Sequence, residues 1–206
     1  MDKPASPTPA TSAGTSPGPG AGTAARPSDL DAWLAAETAQ RERYERGPGP
    51  GVASREMVLS TDGLTLMQRM LDGEGPSASI GRTLDFLLIE VGPGRAVFQG
   101  RPGPTLLNPM GGIHGGWYAT LLDSALGCAV HTMMPVGRAY TTAELGVNLV
   151  RALTPKVSRV RAIGEVVHAG RQLATATARL VGPDGTIYAH GSTTCLVFEV
   201  PAQSKA

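Results

Sequence analysis

Residues 108–134 read NPMGGIHGGWYATLLDSALGCAVHTMM. A glycine-rich turn leads directly into a segment that is apolar on nearly every side. This pattern predicts a helix whose first N–H groups are exposed at the turn and whose body is buried along most of its length. We expect such a helix to lie at the centre of the fold.

One face of this helix collects small and polar residues at spacings of three and four. They are Gly116, Thr120, Asp123 and Gly127. An ionised carboxylate without partners is costly among apolar neighbours, so Asp123 is expected to be hydrogen-bonded, protonated or used in chemistry. The alternative is a purely structural aspartate that a nearby hydroxyl such as Ser124 satisfies.

The glycine turn has its own chemistry. Glycines at 111, 112, 115 and 116 let the backbone approach a ligand closely, and the positive end of the helix dipole lies behind the first N–H groups. Donors arranged in this way form an oxyanion hole, which stabilises charge that develops on a carbonyl oxygen. A glycine-rich turn without a ligand is the alternative.

These residues resemble a known family. Asn108, the run His114-Gly115-Gly116 and an acid seven residues later at Asp123 are similar to the signature of the PaaI-like acyl-CoA thioesterases of the hotdog fold. The resemblance extends over residues 83–198. It includes the segments TTAELGVN, which starts at residue 141, and VVHAGR, which starts at residue 166.

The resemblance implies hydrolysis of an acyl-CoA thioester that carries an aryl-acetyl or a medium-chain acyl group. The N–H of Gly115 would stabilise the oxyanion, and Asp123 would act as the nucleophile or as the base for a water. Asn108 and His114 would orient the substrate carbonyl or the glycine turn, and Thr142 would help to position the water. For His114, a structural hydrogen bond to the turn is the alternative.

Positive charge is concentrated in the same part of the chain. Residues 108–198 carry seven Lys and Arg against four acids. Coenzyme A carries phosphates, which arginine binds well. The expected substrate and coenzyme A contacts are Gly116, Arg151, Gly170 and Arg171. Solvated charges that protect a sheet edge would explain the same arginines.

Strand patterns flank the central helix. A hairpin is predicted before the helix and four apolar or alternating segments after it, with turns short enough to make the later segments antiparallel neighbours. The predicted segments are 84–91, 96–101, 140–153, 157–168, 172–181 and 186–200. About six antiparallel strands around one long helix form an α+β fold, which the resemblance identifies as the hotdog fold.

The chain of 206 residues divides into four predicted segments. Residues 1–27 are a Pro/Ala/Gly-rich tail without branched apolar or aromatic side chains, and such a composition is typical of disorder. Residues 28–82 form a helical extension whose first helix, with Trp33 on a narrow apolar face, docks on the domain or on another subunit, or stays loosely attached. Residues 83–200 are the hotdog domain, and residues 201–206 are a C-terminal tail.

Several classes of protein are not supported. No run of eighteen apolar residues and no secretory signal occur, so we expect a cytoplasmic protein without a membrane span. No nucleic-acid module is recognisable, and the histidines show no metal-ligand spacing, so we expect neither a metal nor a cofactor, with coenzyme A entering as part of the substrate. Cys128 and Cys195 lie in apolar stretches, which favours free thiols over a disulfide.

Alternative functions are a hotdog dehydratase and a non-catalytic acyl-CoA binding or sensing module. A serine hydrolase is disfavoured because the chain contains no Gly-x-Ser-x-Gly motif.

Spacing along the predicted helix also bears on assembly. Gly115 and Asp123 are eight residues apart, so their backbones are separated by about 12 Å along a straight helix. Groups that act on one thioester must lie about 3 Å from its reacting atoms. The two residues can therefore serve one substrate only if each comes from a different chain. We expect a homodimer at least, and the resemblance implies a homotetramer.

Overall fold

The computed structural model describes residues 28–200, so the predictions for residues 1–27 and 201–206 lie outside it. A short 3₁₀ helix, Pro104–Leu106, precedes the glycine turn. The helices are α1 (Ser28–Arg46), α2 (Arg55–Ser60), α3 (Gly63–Leu71), α4 (Ser79–Thr83) and α5 (Gly115–His131). The strands are β1 (Phe86–Gly92), β2 (Arg95–Gly100), β3 (Arg138–Leu149), β4 (Val160–Ala169), β5 (Leu173–Val181) and β6 (Ile187–Glu199).

Helix α5 lies at the centre, as the apolar pattern of its sequence predicts. Leu121, Leu122, Ala125 and Leu126 are completely buried on the side that faces the sheet. Strand β4 approaches this side closely at Gly164, where an added Cβ would lie only 2.2 Å from the carbonyl oxygen of Ala125. The core therefore forms between one helix and the sheet that curves around it.

The six strands form one antiparallel sheet in the order β1-β2-β4-β5-β6-β3. Short turns join β1 to β2, β4 to β5 and β5 to β6, and each of these pairs is adjacent, which confirms the predicted hairpins. Strand β3 does not pair with β4, the next strand along the chain. It pairs with β6 at one edge of the sheet, while β4 crosses over to pair with β2. This arrangement confirms the α+β hotdog fold.

Helix α1 is docked on the domain. Trp33 and Glu37 are buried, and the Arg161 guanidinium stacks over the Trp33 ring at 4.3 Å. The amide of Gln99, on β2, donates hydrogen bonds to the Trp33 carbonyl at 3.1 Å and to Glu37 at 2.9 Å. Glu37 also forms salt bridges with Arg41 and Arg159. Of the arrangements that the sequence left open, the structure shows the docked one.

Helix α3 packs between β1 and the C-terminal end of α5. Leu66 and Met67 are buried, and Asp62 caps the helix by accepting a hydrogen bond from the Thr65 N–H at 3.0 Å. At Gly63 an added Cβ would overlap the carbonyl oxygen of His131, at 1.7 Å, so only glycine permits this contact. Helix α3 is therefore firmly packed over β1 and the end of α5.

Both cysteines, Cys128 and Cys195, are free thiols. Within residues 28–200, no helix is both long and apolar enough to cross a membrane. The same stretch contains no group of three or more His, Cys, Asp or Glu side chains that could hold a metal ion.

Candidate active site

Asn108 shapes the turn that leads into α5. Its side-chain oxygen accepts hydrogen bonds from the N–H groups of Met110, at 2.9 Å, and Gly112, at 3.2 Å. Its own N–H donates to the Gly112 carbonyl at 2.8 Å. Gly111, at the tip, has φ +82°, a conformation that glycine adopts without strain. The Asn108 side chain therefore holds the turn.

His114 caps α5. Its Nδ1 accepts a hydrogen bond from the Gly116 N–H at 2.9 Å. Because Nδ1 accepts, a neutral imidazole carries its proton on Nε2, where it can act as a donor. The structural hydrogen bond between His114 and the turn is thus present, and it leaves Nε2, the second nitrogen of the ring, available.

The N–H of Gly115 differs from those around it. The Ile113 N–H donates to the Leu153 carbonyl, and the His114 N–H donates to the Leu106 carbonyl. The Trp117 N–H donates to the His114 carbonyl, and the Gly116 N–H donates to the His114 side chain. Within residues 28–200, the Gly115 N–H has no acceptor among the hydrogen bonds of the structure. It is the first donor of a 17-residue helix, so the dipole reinforces its partial positive charge. Such a donor is suited to binding an anion or an oxyanion.

Asp123 lies half-buried on the open face of α5, two turns beyond Gly115. Thr142 on β3 donates a long hydrogen bond to its Oδ1 at 3.4 Å. Ser124 does not contact this carboxylate, because its hydroxyl donates to the Thr120 carbonyl at 2.8 Å instead. Burial raises the pKa of Asp123, and the Thr142 hydrogen bond offsets only part of the increase. Asp123 is thus a weakly solvated carboxylate with one hydroxyl partner.

Tyr140 covers the next turn of the same face, which the sequence did not predict. Its hydroxyl lies so close to Gly127 that an added Cβ would be 2.7 Å from it, and its ring lies 5.8 Å from that of His131. The small residue one turn beyond Asp123 is the signal that could have revealed this contact. Burial raises the pKa of Tyr140 well above its usual value and that of Cys128 to about 12. Both groups are therefore neutral at pH 7, and the Cys128 thiol is unsuited to nucleophilic attack.

The predicted site residues do not all meet within one chain. Asn108, His114, Gly115 and Gly116 lie together at the start of α5, and Thr142 lies beside Asp123. Because α5 is continuous, the rise of an α-helix separates the Gly115 and Asp123 backbones by about 12 Å. The structure thus contains two half-sites on one helix.

The residues expected to bind coenzyme A are also divided. The carbonyl of Arg151, just after β3, accepts a hydrogen bond from the Tyr118 hydroxyl at 3.5 Å, near the start of α5. The carbonyl of Arg171 accepts one from Arg138, the first residue of β3, beyond the other end of α5. Gly170 precedes Arg171 in the same turn. Gly116 and Arg151 therefore lie at one end of the helix, and Gly170 and Arg171 at the other.

Comparisons with known proteins agree with the fold. The sequence model of the Thioesterase superfamily matches residues 110–189, which include α5 and strands β3 to β5. No curated protein is similar enough to this chain to count as a match.

Many solved structures are similar. A thioesterase family protein from Silicibacter pomeroyi is 29% identical, with a TM-score of 0.54 over 59% of this chain and 90% of that protein. A mutant of the phenylacetic acid degradation protein PaaI from Thermus thermophilus is 26% identical, with a TM-score of 0.51 over 57% and 96% of the two chains. PaaI of E. coli, 19% identical with a TM-score of 0.56 over 68% and 96%, shares the fold. Residues 110–189 thus match the Thioesterase superfamily, the chain shares the hotdog fold of PaaI-like thioesterases, and these similarities indicate a thioester hydrolase.

Proposed function

We propose that this protein hydrolyses the thioester of an aryl or medium-chain acyl-CoA to the free acid and coenzyme A. The observation that carries the proposal is Asp123, a half-buried carboxylate whose pKa is raised by burial and whose one close hydroxyl is that of Thr142. Such a carboxylate is poorly solvated and therefore reactive towards a carbonyl or a water. The unpaired Gly115 N–H at the start of α5 supplies the complementary donor.

Two routes lead to the same products. In one, the Asp123 carboxylate attacks the carbonyl carbon, the oxyanion forms against the Gly115 N–H, and the thiolate of coenzyme A leaves. Water then hydrolyses the resulting acyl-aspartyl anhydride. In the other, Asp123 takes a proton from water as the water attacks. Neither route requires a cofactor, because coenzyme A is part of the substrate.

Three further residues support this chemistry. Asn108 holds the glycine turn, and His114 holds the first turn of α5 while its Nε2 can donate to the substrate carbonyl. The hydroxyl of Thr142 donates to Asp123, and we assign to it the orientation of the attacking water. We therefore assign positioning roles to Asn108, His114 and Thr142, and reacting roles to Gly115 and Asp123.

We infer that two chains build each site. A two-fold axis that sets two α5 helices antiparallel would place Gly115 of one chain near Asp123 of the other. It would also bring the Gly170–Arg171 turn of one chain towards Gly116 and Arg151 of the other, where both arginines can contact coenzyme A phosphates.

Strand β3 is the contact that we propose for this dimer. It is a sheet edge twelve residues long, and its exposed side chains include Leu145 and Leu149, 37% and 53% exposed. Such an edge presents unpaired backbone groups that another strand can pair with. The functional unit is accordingly a homodimer at least, and we propose a homotetramer of two such dimers.

An acyl-CoA panel tests the activity. Release of free coenzyme A thiol is measured with aromatic and aliphatic acyl-CoAs, for the unaltered chain and for Asp123→Asn. We expect hydrolysis by the unaltered chain and a loss of about 10²-fold or more in kcat for the variant. Binding of acyl-CoA without thiol release would instead indicate a sensing module. Interconversion of 3-hydroxyacyl and enoyl thioesters would indicate a dehydratase.

A further inference from the structure

The N-terminal extension and the hotdog domain together line a cavity of about 520 Å³ beside α5, which is partly open to solvent. Its inner wall is largely apolar, and its charged residues, Arg41, Glu45 and Arg82, are exposed and therefore lie at the rim. The side chains that define the inner wall are Tyr44, Met70, Phe86, Phe98, Ser124 and Cys128. Trp117 and Tyr118, near the start of α5, are in the core and do not line this cavity. In the core, Trp117 donates to the Leu84 carbonyl at 2.8 Å, and Tyr118 accepts from the Leu153 N–H.

The floor of the cavity belongs to the helix that carries Asp123. Ser124 is the next residue along α5, and Cys128 lies one turn further on the same side. One residue corresponds to a rise of about 1.5 Å and a turn of about 100°. The cavity therefore begins at the residue that directly follows Asp123 on α5.

The N-terminal segments that cover the cavity are held in the folded structure by hydrogen bonds. The Gln40 side chain of α1 donates to the Leu71 carbonyl, at the end of α3, at 2.7 Å. The chain after α1 is tied to the segment before α4, because the Gly51 N–H donates to the Ser77 carbonyl at 2.9 Å and the Ser77 N–H donates to the Gly49 carbonyl at 3.0 Å. All of these residues precede the region that matches the thioesterase superfamily, which begins at residue 110. The cavity is thus a feature that the N-terminal extension adds to the hotdog domain.

We propose that this cavity holds the acyl group of the substrate and that it selects a medium-chain aliphatic acyl-CoA over phenylacetyl-CoA, an inference that rests on the proposed function. A cavity of about 150 Å³ is sufficient to bind benzene. The present cavity, at about 520 Å³, is in the range of pockets that enclose drug-sized ligands. A phenylacetyl group would leave much of it unfilled, whereas a flexible chain can fill it, with Met70 adapting to the fit.

A cavity-filling variant tests the proposal. Ser124→Leu places a larger side chain in the floor, while Ser60→Leu makes the same change on α2, outside the cavity, and serves as the matched control. Ala78→Leu, at an exposed position in the wall, is a second variant with less effect on packing. Melting curves establish that each variant is folded. Rates are then measured with butyryl-, decanoyl- and phenylacetyl-CoA.

We expect both cavity variants to lower kcat/KM for decanoyl-CoA by about tenfold or more, which corresponds to the cost of overpacking a filled site. We expect butyryl-CoA turnover to be unchanged, and the Ser60→Leu chain to behave as the unaltered one. The proposal would be overturned by equal losses for decanoyl-CoA and butyryl-CoA or by no loss in folded variants. A preference of the unaltered chain for phenylacetyl-CoA would also overturn it.

A binding measurement separates this proposal from the proposed hydrolysis. Calorimetry with the non-hydrolysable decanoyl thioether of coenzyme A requires no turnover. If no acyl-CoA is hydrolysed, weaker thioether binding by Ser124→Leu than by Ser60→Leu still supports the cavity, and equal binding overturns it. Tighter thioether binding after deletion of residues 1–27 would assign the cavity to that segment and would also overturn the proposal.

Discussion

Thr142 on β3 and Asp123 on α5 meet across the open face of the central helix, with the threonine Oγ1 3.4 Å from the aspartate Oδ1. A carboxylate placed among apolar neighbours is thus partnered by one hydroxyl from a sheet edge and not by Ser124 of its own helix. This long contact leaves the second carboxylate oxygen for a water or a substrate carbon. The following predictions derive from this half-site and from its separation from Gly115.

Gly115→Pro is expected to remove the oxyanion donor while the helix remains. Gly115 is the first residue of α5, a position where proline fits and where its missing N–H breaks no helical hydrogen bond. We expect a loss of about 10²–10³-fold in kcat. Gly115→Ala is the matched control, because it adds the same Cβ, 3.0 Å from Leu149 Cδ1, and keeps the N–H. Equal kcat values for the two variants would exclude the donor role.

Mixed dimers test whether the site is shared between chains. An Asp123→Ala chain and a Gly115→Pro chain are each expected to be inactive alone. In a heterodimer of the two, one site combines both intact halves, so about one working site of two should return. Thiol release is measured on purified heterodimers carrying different affinity tags. If folded heterodimers stay inactive, the two residues do not act across an interface.

The pH dependence of hydrolysis should report Asp123. Burial raises its pKa above the ordinary value of 3.8, and only the ionised carboxylate can attack or accept a proton. We therefore expect kcat/KM to fall as pH decreases through a value above 3.8, and a stopped-flow pH profile measures this limb. An acid limb at or below 3.8 would contradict the burial of this group.

Asp123→Asn should also be more stable than the unaltered chain at neutral pH. With its pKa raised on folding, Asp123 makes the folded state bind more protons, so stability falls as pH rises from 3.8 through the folded pKa. We expect Asp123→Asn to raise Tm at pH 7, with a difference that disappears below 3.8. Asp184→Asn is the control of opposite sign, because hydrogen bonds from Thr186 lower the pKa of Asp184. A lower Tm for Asp123→Asn at pH 7 would show that the ionised carboxylate stabilises the fold.

Glu37 is expected to anchor α1. Burial favours its neutral form, but hydrogen bonds from Arg159, Gln99 and Arg41 outweigh this effect and lower its pKa. Glu37→Ala leaves those donors without their buried acceptor and should cost about 3 kcal/mol of unfolding free energy. Its control is Glu42→Ala, which removes an exposed pair with Arg46 and should cost less than about 1 kcal/mol. Urea denaturation measures both, and similar costs would show that α1 docking does not depend on Glu37.

The sequence by itself determined the central helix and the number of strands. Periodicity is a local property, and the apolar run after the glycine turn, together with the alternating segments that follow it, predicts a buried helix packed on an antiparallel sheet. The same reasoning identified Asp123 as an unusual carboxylate, because its neighbours on the helix are readable from the chain. The four-residue spacings of Glu37 from Arg41 and of Glu42 from Arg46 also indicate helical ion pairs, and the structure contains both.

Only the tertiary structure decided which distant residues meet. Packing between segments far apart in the chain determines three such contacts. They are the pairing of β4 with β2, the contact of Thr142 with Asp123 and the position of Tyr140 over Gly127. The docking of α1 was also undetermined, since its interface is made by Gln99, Arg159 and Arg161, polar side chains that would be equally typical of a solvated surface. Complementarity between such surfaces is set by three-dimensional placement, and the cavity beneath the N-terminal extension exists for the same reason.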